Sequence, residues 1–312
     1  MQNLARYTLI LTGLLMVMAL TVRLDSVPPT WWDEGWTLSV ARNWVELGHY
    51  GRLLLGEKVP RGLEASFPVT APFALSFRLF GIGIVQARMV GVIITVATLL
   101  LLYYLARRTY NQAIAFGALF VTTFLPAYIE LFPIYTGRQV LGEIHAMFWL
   151  PAGYVAILSV PRRPTWALVL ATLFWAVALV AKAQVLPFWA CSLLVVSSMA
   201  AYRPDWKSAL SWAIALIGSF AGYRVLLALH PKGSAAITGL YEVTAIVGSI
   251  PSRMFALIVV ALFCVPTLLG LCYGLRRLIK DDTSWSYAEQ VRVALLFLAS
   301  SWFGWFMFFS VG

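Results

Sequence analysis

The stretch that decides the fold reads Pro28-Pro-Thr-Trp-Trp-Asp-Glu-Gly-Trp-Thr-Leu-Ser-Val-Ala-Arg-Asn-Trp-Val-Glu-Leu-Gly48, directly after the first apolar segment. Apolar residues recur at every fourth position, which predicts one stripe along an amphipathic helix; they are Trp32, Trp36, Val40 and Trp44. Asp33 and Glu34 fall in the first turn, where the helix dipole favours carboxylates, and Gly48 can end the helix. At a membrane exit, such a helix is expected to lie along the interface with its tryptophans in the headgroup layer. The alternative is a surface helix with ordinary N-terminal acids.

The composition is that of a polytopic membrane protein. Of 312 residues, 61% are hydrophobic and 12% are charged, whereas a soluble domain keeps about 25% charged residues. Apolar runs of spanning length predict about nine transmembrane helices. They occupy residues 7–22, 86–106, 111–129, 139–159, 165–181, 184–201, 208–229, 253–275 and 291–311. The predicted fold class is therefore an all-α polytopic membrane protein, with one transmembrane domain over residues 1–312.

The short loops predict the orientation. If the N-terminus is cytoplasmic, the cytoplasmic turns hold clusters of basic residues and the opposite short turns hold only single cations, in agreement with the positive-inside rule. The clusters are Arg107-Arg108, Arg162-Arg163, Arg203 with Lys207, and Arg276-Arg277 with Lys280. The net charge of +10 is then mostly a topology signal, and no basic stripe indicates nucleic-acid binding. The segment 23–86 is predicted to be extracytoplasmic, with a second interfacial helix over 68–81.

Charged residues at the ends of predicted spans mark a candidate site, because charges at membrane depth are costly unless they have a function. Those on the same predicted side as Asp33 and Glu34 are Glu130, Arg138, Glu143 and Lys182. Two alternatives remain open: Glu130 and Arg138 could simply pair across a short turn, and Lys182 could extend toward lipid headgroups. His145, inside a span, is more readily interpreted as a hydrogen-bonded residue than as a metal ligand.

These residue types suit the transfer of a sugar from a lipid phosphate. A carboxylate can remove the proton of a hydroxyl group as that group attacks a carbon. Arg138 could bind a phosphate through two hydrogen bonds and Lys182 as a point charge. The lipid tail would lie between the helices while the phosphate meets the acids at the membrane surface. With Asp33 as the base, a single in-line displacement would invert the anomeric carbon.

The order of these motifs resembles the GT-C polyprenyl-phosphate-sugar glycosyltransferases. This family includes protein O-mannosyltransferases, the aminoarabinose transferase of lipid A and the RgtA/B/C/D-like group. Trp32-Asp-Glu-Gly35 resembles the family's acidic first-loop motif, and Arg88-Met-Val-Gly91 lies in a segment similar to its second span. Tyr135-Thr-Gly-Arg-Gln-Val-Leu-Gly-Glu143 resembles the start of the fourth span, and Ala178-Leu-Val-Ala-Lys182 resembles the end of the fifth. The resemblance covers about residues 30–200.

The resemblance implies an inverting transferase that uses a polyprenyl-phosphate sugar. Asp33 would be the general base with Glu34 in support, and Arg138 would face the lipid phosphate. Lys182 could join Arg138, and the supporting residues would be Glu143 and Arg88. The acceptor would be a glycolipid, a polysaccharide or a protein.

Some members of the family use a divalent cation near the first acid. Here only His49 lies close in sequence, so no metal ligands are predicted and a divalent cation is left open. The expected location is the bacterial cytoplasmic membrane, with the site outside. Relatives usually continue further, which raises the expectation that a C-terminal part is missing here.

Two other classes of function compete with this interpretation. A transporter or lipid flippase would favour broken helices and charges at mid-membrane depth, related by internal repeats, and no such repeat is visible here. A non-catalytic scaffold could have the same fold, because a fold does not determine a function.

Overall fold

The computed structural model describes residues 2–30, 32–58, 66–124, 133–229 and 285–310. Most of these residues are helical. The helices are α1 (Gln2–Thr21), α2 (Trp32–Leu47), α3 (Phe67–Phe80), α4 (Ile84–Thr109), α5 (Gln112–Phe124), α6 (Pro133–Thr136), α7 (Gly142–Ile157), α8 (Pro164–Ala181), α9 (Leu186–Tyr202), α10 (Trp206–Leu229) and α11 (Tyr287–Ser310). A short 3₁₀ turn, Ala183–Val185, separates α8 from α9, so the predicted division between these two helices is confirmed.

Among the described residues, four helical segments are long and apolar enough to cross a membrane. They are Ile84–Thr109, Pro164–Ala181, Ala183–Tyr202 and Trp206–Leu229. The other apolar runs within the described residues are helical too, whereas the run 253–275 lies outside them. The architecture of an α-helical membrane protein is therefore confirmed, and the number of nine spans stays a prediction.

The segment between α1 and α4 carries two helices, as predicted. The first, α2, ends at Leu47 and is followed by Gly48 with φ +65°. The second, α3, begins with a proline in its first turn and ends at Phe80, where Gly81 (φ +85°) donates its N–H to the Phe77 carbonyl. Glycine reaches positive φ without a steric penalty, so it ends a helix readily.

The stretch after α2 adds a short hairpin to this helical architecture. Two-residue strands β1 (Leu53–Leu54) and β2 (Glu57–Lys58) pair antiparallel around a turn at Leu55 and Gly56. Both turn residues have positive φ, +52° and +87°. The hairpin was not predicted because its strands are too short to show the alternation of apolar and polar residues that identifies a strand.

The described side chains of the α2 stripe pack against protein, and the expected position of this helix in the headgroup layer stays a prediction. Val40 is fully buried. The Trp44 ring lies 5.4 Å from the ring of Tyr50 and 5.5 Å from that of Phe67, which begins α3. The Arg52 guanidinium lies 4.6 Å from the centre of the Trp36 ring. The stripe therefore joins α2 to α3 and to the chain between them.

The chain forms two compact units. The first comprises Met1–Val155, Phe174–Ala183 and Tyr223–Gly233, and the second comprises Ala156–Leu173, Gln184–Gly222 and Ser234–Gly312. A core cluster of the first unit joins α1 to α4 and α5 through Met16, Leu20, Leu24, Val92, Leu99 and Leu119. In the second unit, the buried Gln290 accepts a hydrogen bond from Trp212 Nε1 (2.6 Å) and donates to Ser208 Oγ (3.1 Å), which joins α10 to α11. The single domain over residues 1–312 stays a prediction.

Candidate functional site

A buried ion pair between Glu34 and Arg88 forms the centre of the candidate site. Arg88 donates from Nε to Glu34 Oε1 (2.9 Å) and from Nη2 to Oε2 (2.8 Å), and both side chains are completely buried. Arg88 Nη1 also donates to the Leu24 carbonyl (3.0 Å), and the Val140 N–H donates to Glu34 Oε1 (3.2 Å). The pair therefore joins four parts of the chain: the exit of α1, the start of α2, α4 and the entry to α7.

The chain folds this way because neither charge can be buried alone. Arg88 lies in the second turn of a helix able to span a membrane, where an unpaired charge would be very costly. Glu34 enters from the N-terminal turn of α2, where the helix dipole also favours a carboxylate. A two-point contact between a guanidinium and a carboxylate has a fixed geometry, so the pair sets the position of α2 against α4.

Arg138 lies beside this pair, in the turn that leads into α7. It is 8% exposed, and its Nη2 donates to the Val22 carbonyl. Its Nε is buried without a hydrogen-bond partner, and among the described residues no carboxylate lies within ion-pair distance. Burial lowers the pKa of Arg138, and repulsion from the Arg88 charge lowers it further. The result is a buried cation with unused hydrogen-bonding capacity. Glu130, the alternative partner of Arg138, lies outside the described residues.

The turn that carries Arg138 packs closely against α4. A Cβ atom added at Gly91 would lie 3.0 Å from the Gln139 carbonyl oxygen and 3.1 Å from that of Gly137. One turn further along α4, Thr95 Oγ1 donates to the same Gly137 oxygen (3.3 Å). Together with the hydrogen bond from Val140 to Glu34, these contacts hold the turn against the ion pair.

A second ion pair joins Lys182, which follows α8, to Glu143 in the first turn of α7. Both side chains are partly exposed, by 32% and 41%. Gly142 makes the approach of the two segments possible, because a Cβ atom there would lie 2.9 Å from the Ala181 carbonyl oxygen. The Lys182 charge is therefore paired with a carboxylate, whereas Arg138 has no carboxylate partner among the described residues.

This close approach yields a testable prediction. We expect Gly142→Ala to lower the free energy of unfolding by about 1–3 kcal/mol, because the methyl group would press on a backbone oxygen that cannot rotate away. Thermal unfolding of the purified protein in detergent would measure the change. Gly117→Ala is the matched control: Gly117 lies within α5 with nothing within 4 Å of the added atom, so this substitution should raise stability by up to about 1 kcal/mol. Equal unfolding temperatures for both variants would contradict the proposed close contact.

Asp33 differs from its neighbour Glu34 in its surroundings. Its side chain is exposed, and within the described part of the chain its carboxylate has no hydrogen bond or ion pair. Its backbone carbonyl accepts from Thr37 Oγ1 (2.9 Å), as is common one turn along a helix. The two adjacent acids thus differ in their surroundings, because Glu34 is buried and paired with Arg88 whereas Asp33 is exposed.

The described residues at this site supply few oxygen ligands for a divalent cation. Such ions take several oxygen ligands, and here Asp33 supplies one carboxylate while Glu34 is bound by Arg88. Within the ranges that the structure describes, no group of three or more His, Cys, Asp or Glu side chains is placed to hold a metal ion. His145 is buried among apolar neighbours, with the ring of Phe73 5.5 Å away, and its Nε2 has no hydrogen-bond partner.

Sequence reasoning named all six candidate residues but missed how they are connected. It grouped Glu34 with Asp33 and Lys182 with Arg138, whereas the contacts join Glu34 to Arg88 and Lys182 to Glu143. The backbone contributions of Leu24 and Val140 were also missed, because a carbonyl or an N–H leaves no mark on a sequence. One signal in the sequence could have indicated this ion pair. Arg88 is a charged residue inside a predicted spanning helix, where a charge needs a partner.

Comparisons with known proteins agree with this architecture. A family model described as dolichyl-phosphate-mannose-protein mannosyltransferase matches residues 68–227, a range that includes Arg88, Arg138 and Lys182. Two crystal structures of ArnT from Cupriavidus metallidurans, one bound to undecaprenyl phosphate and one in the apo state, have the same fold, with a TM-score of 0.54 and 16% identity. These alignments cover 94% and 95% of this chain and 59% of each ArnT chain, so the chain spans less than two thirds of ArnT's length. No curated protein matches.

Proposed function

The chain belongs to the dolichyl-phosphate-mannose-protein mannosyltransferase family, of GT-C type as its motifs predicted, and from this premise we propose that it is an inverting membrane glycosyltransferase. Its donor would be a sugar linked to a polyprenyl phosphate. Its acceptor would be a hydroxyl group of a glycolipid, a polysaccharide or a protein on the extracytoplasmic side. The two alternatives, a lipid-sugar flippase and a non-catalytic scaffold, have no specific observation in their favour.

One observation carries the proposal: the hydrogen bond from Val140 N to Glu34 Oε1 (3.2 Å). Asp33 immediately precedes Glu34, and Arg138 lies two residues before Val140. The hydrogen bond therefore brings the exposed Asp33 carboxylate and the buried Arg138 guanidinium onto neighbouring segments, and this guanidinium has no carboxylate partner among the described residues. An acid near such a cation suits two substrates that meet there, one with a hydroxyl group and the other with a phosphate.

In the proposed reaction, Asp33 accepts the proton of the acceptor hydroxyl group. The hydroxyl oxygen forms a bond to the anomeric carbon of the donor sugar as the bond from that carbon to the phosphate oxygen breaks. The electron pair leaves with the lipid phosphate, where the Arg138 guanidinium stabilises the growing negative charge. Attack and departure on opposite faces of the sugar invert the anomeric carbon. No step needs a metal ion.

Glu34 and Arg88 would act as positioning residues in this reaction, since their charges are satisfied by each other and by the backbone. Lys182 would add a second, weaker attraction for the phosphate, because Glu143 offsets part of its charge. The binding of undecaprenyl phosphate by ArnT, which has the same fold, supports a polyprenyl phosphate as the lipid part of the donor.

The proposal is tested by incubating the purified protein in proteoliposomes with a panel of polyprenyl-phosphate sugars and candidate acceptors. We expect the sugar of one donor to be transferred to an acceptor over time, with release of polyprenyl phosphate. The anomeric configuration of the product should be opposite to that of the donor. Movement of the intact donor between leaflets without sugar transfer would indicate a flippase. Neither transfer nor movement with any donor would favour the scaffold.

A further prediction concerns the phosphate. We expect Arg138→Gln to weaken donor binding about 10–100-fold, because it removes a charged hydrogen bond to the phosphate. Calorimetric titration with a polyprenyl phosphate would measure the loss, and Arg162→Gln, at an exposed arginine in the turn before α8, is the control expected to leave affinity unchanged. Unchanged affinity in the Arg138 variant would exclude Arg138 from the phosphate site.

A further inference from the structure

The hairpin that follows α2 presents an unusual turn. Strands β1 and β2 pair in the register Leu53 with Lys58 and Leu54 with Glu57, which leaves Leu55 and Gly56 as the two turn residues. Two-residue turns of this kind need positive φ at both positions, and they strongly prefer Asn, Asp or Gly there. Leucine at the first turn position, with φ +52°, is therefore strained.

Leu55 is also the most exposed large apolar residue among those the structure describes. Its side chain is 98% exposed, so it gains nothing from packing on the described residues that could offset the strain. An asparagine at the same position would relieve the strain and leave no apolar surface in water. The combination of strain and full exposure favours a partner for this side chain other than the described residues.

The base of the hairpin has the composition of a membrane interface. The rings of Trp44, Tyr50 and Phe67 lie within 5.4–6.2 Å of one another, and the Tyr50 hydroxyl forms a hydrogen bond with Thr70 Oγ1 (2.8 Å). Tryptophan and tyrosine are enriched where a membrane protein passes from lipid to water. The aromatic cluster is anchored on α3, which is followed after three residues by the spanning helix α4. The hairpin therefore begins at the level of the headgroups.

We propose that the hairpin tip inserts Leu55 into the bilayer leaflet that faces the acidic site, at the boundary between headgroups and acyl chains. The occupant of the exposed tip is thus lipid. The sequence around the tip agrees with this partner, because three consecutive leucines (Leu53–Leu55) precede Gly56 and the flanking charges, Arg52, Glu57 and Lys58, are positive on balance. Basic residues beside an inserted apolar tip attract anionic headgroups.

The consequence is a fixed depth for the acidic helix. The hairpin continues directly from α2, and Arg52 at its base packs on Trp36, one turn along α2 from Asp33. A tip held in lipid would limit the tilting of α2 and so hold the Asp33 carboxylate at one height above the membrane. Contact of the hairpin with the membrane does not depend on whether the protein transfers a sugar.

Spin labelling in vesicles tests the inference. The three cysteines, Cys191, Cys264 and Cys272, are first replaced by serine, and a nitroxide is then attached to Leu55→Cys or, as the matched control on the same hairpin, to Glu57→Cys. The full chain is reconstituted in vesicles of phosphatidylethanolamine and phosphatidylglycerol. Relaxation of each label by oxygen, which concentrates in lipid, is compared with relaxation by a water-soluble nickel chelate.

We expect the label at position 55 to be relaxed more by oxygen than by the nickel chelate, and the label at position 57 to lie closer to water. A label at position 55 that the nickel chelate relaxes more than oxygen would overturn the proposal. Protection from both reagents would also overturn it, since that result would indicate a protein contact.

A second variant tests whether Leu55 itself provides the anchor. Leu55→Asn suits the turn better than leucine does, so the hairpin should persist. With the label at Glu57→Cys, this substitution is expected to raise accessibility to the nickel chelate about twofold. Unchanged accessibility would show that Leu55 does not set the depth of the hairpin and would contradict the proposal.

Discussion

The Asp33→Asn variant is expected to lose sugar transfer by about 10²–10⁴-fold, the range typical of removing a general base. The amide has nearly the same shape as the carboxylate but does not accept a proton from a hydroxyl group at neutral pH. Stability should change little, because the Asp33 side chain is exposed and forms no ion pair among the described residues. Transfer rates with saturating donor, measured beside donor affinity and unfolding temperature, would separate loss of chemistry from loss of binding or folding.

Glu46→Gln on the same helix is the matched control. Glu46 is exposed near the other end of α2, where it pairs with Arg42 (2.7 Å), so its neutralisation should leave transfer unchanged. Transfer retained by the Asp33→Asn variant would show that another group accepts the proton. If donor affinity also fell strongly, Asp33 would be a binding residue instead of the base.

The second large effect is expected on stability. We predict that Arg88→Met lowers the free energy of unfolding by about 3–5 kcal/mol, since it leaves the Glu34 carboxylate buried with one backbone hydrogen bond and no counter-charge. It should also reduce transfer, because α2, which carries Asp33, would lose its ion-pair attachment to α4. Thermal unfolding in detergent and the transfer assay together measure both consequences.

Two further variants test whether the expected loss of stability comes from breaking the buried ion pair. The double variant Glu34→Leu/Arg88→Met removes both charges, so its loss of stability should be clearly smaller than the sum of the two single losses. Arg42→Met breaks the exposed pair on α2 and should cost no more than about 1 kcal/mol. Additive losses in the double variant, or an Arg88→Met protein as stable as the wild type, would contradict the central role of this ion pair.

The sequence was sufficient to predict the helices of the site. Carboxylates at the start of α2 and glycines after α2 and α3 are local signals, and the structure has those helix ends at Leu47 and Phe80. The basic pair Arg107-Arg108 likewise falls in the last turn of α4. Local chemistry and the length of apolar runs therefore predicted most of the helical pattern.

The pairing of charges could not be predicted, because it depends on contacts between residues far apart in sequence. Glu34 and Arg88 are 54 residues apart, and sequence reasoning grouped Glu34 with Asp33 instead. Two close approaches of the backbone also depend on glycines, which have no side chain. The Arg138 turn packs on Gly91, and the end of α8 packs on Gly142. The need for glycine at such a contact can be recognised only when the positions of both backbone segments are known.

The most direct test of the account asks whether Asp33 faces the aqueous space outside the membrane, within reach of a bound lipid phosphate. In a protein without its natural cysteines, Asp33→Cys is exposed to a membrane-impermeant maleimide in intact cells and in inverted vesicles. We predict labelling in intact cells, protection there by added undecaprenyl phosphate, and little labelling in inverted vesicles. Labelling only in inverted vesicles, or labelling in intact cells that undecaprenyl phosphate does not slow, would contradict the account.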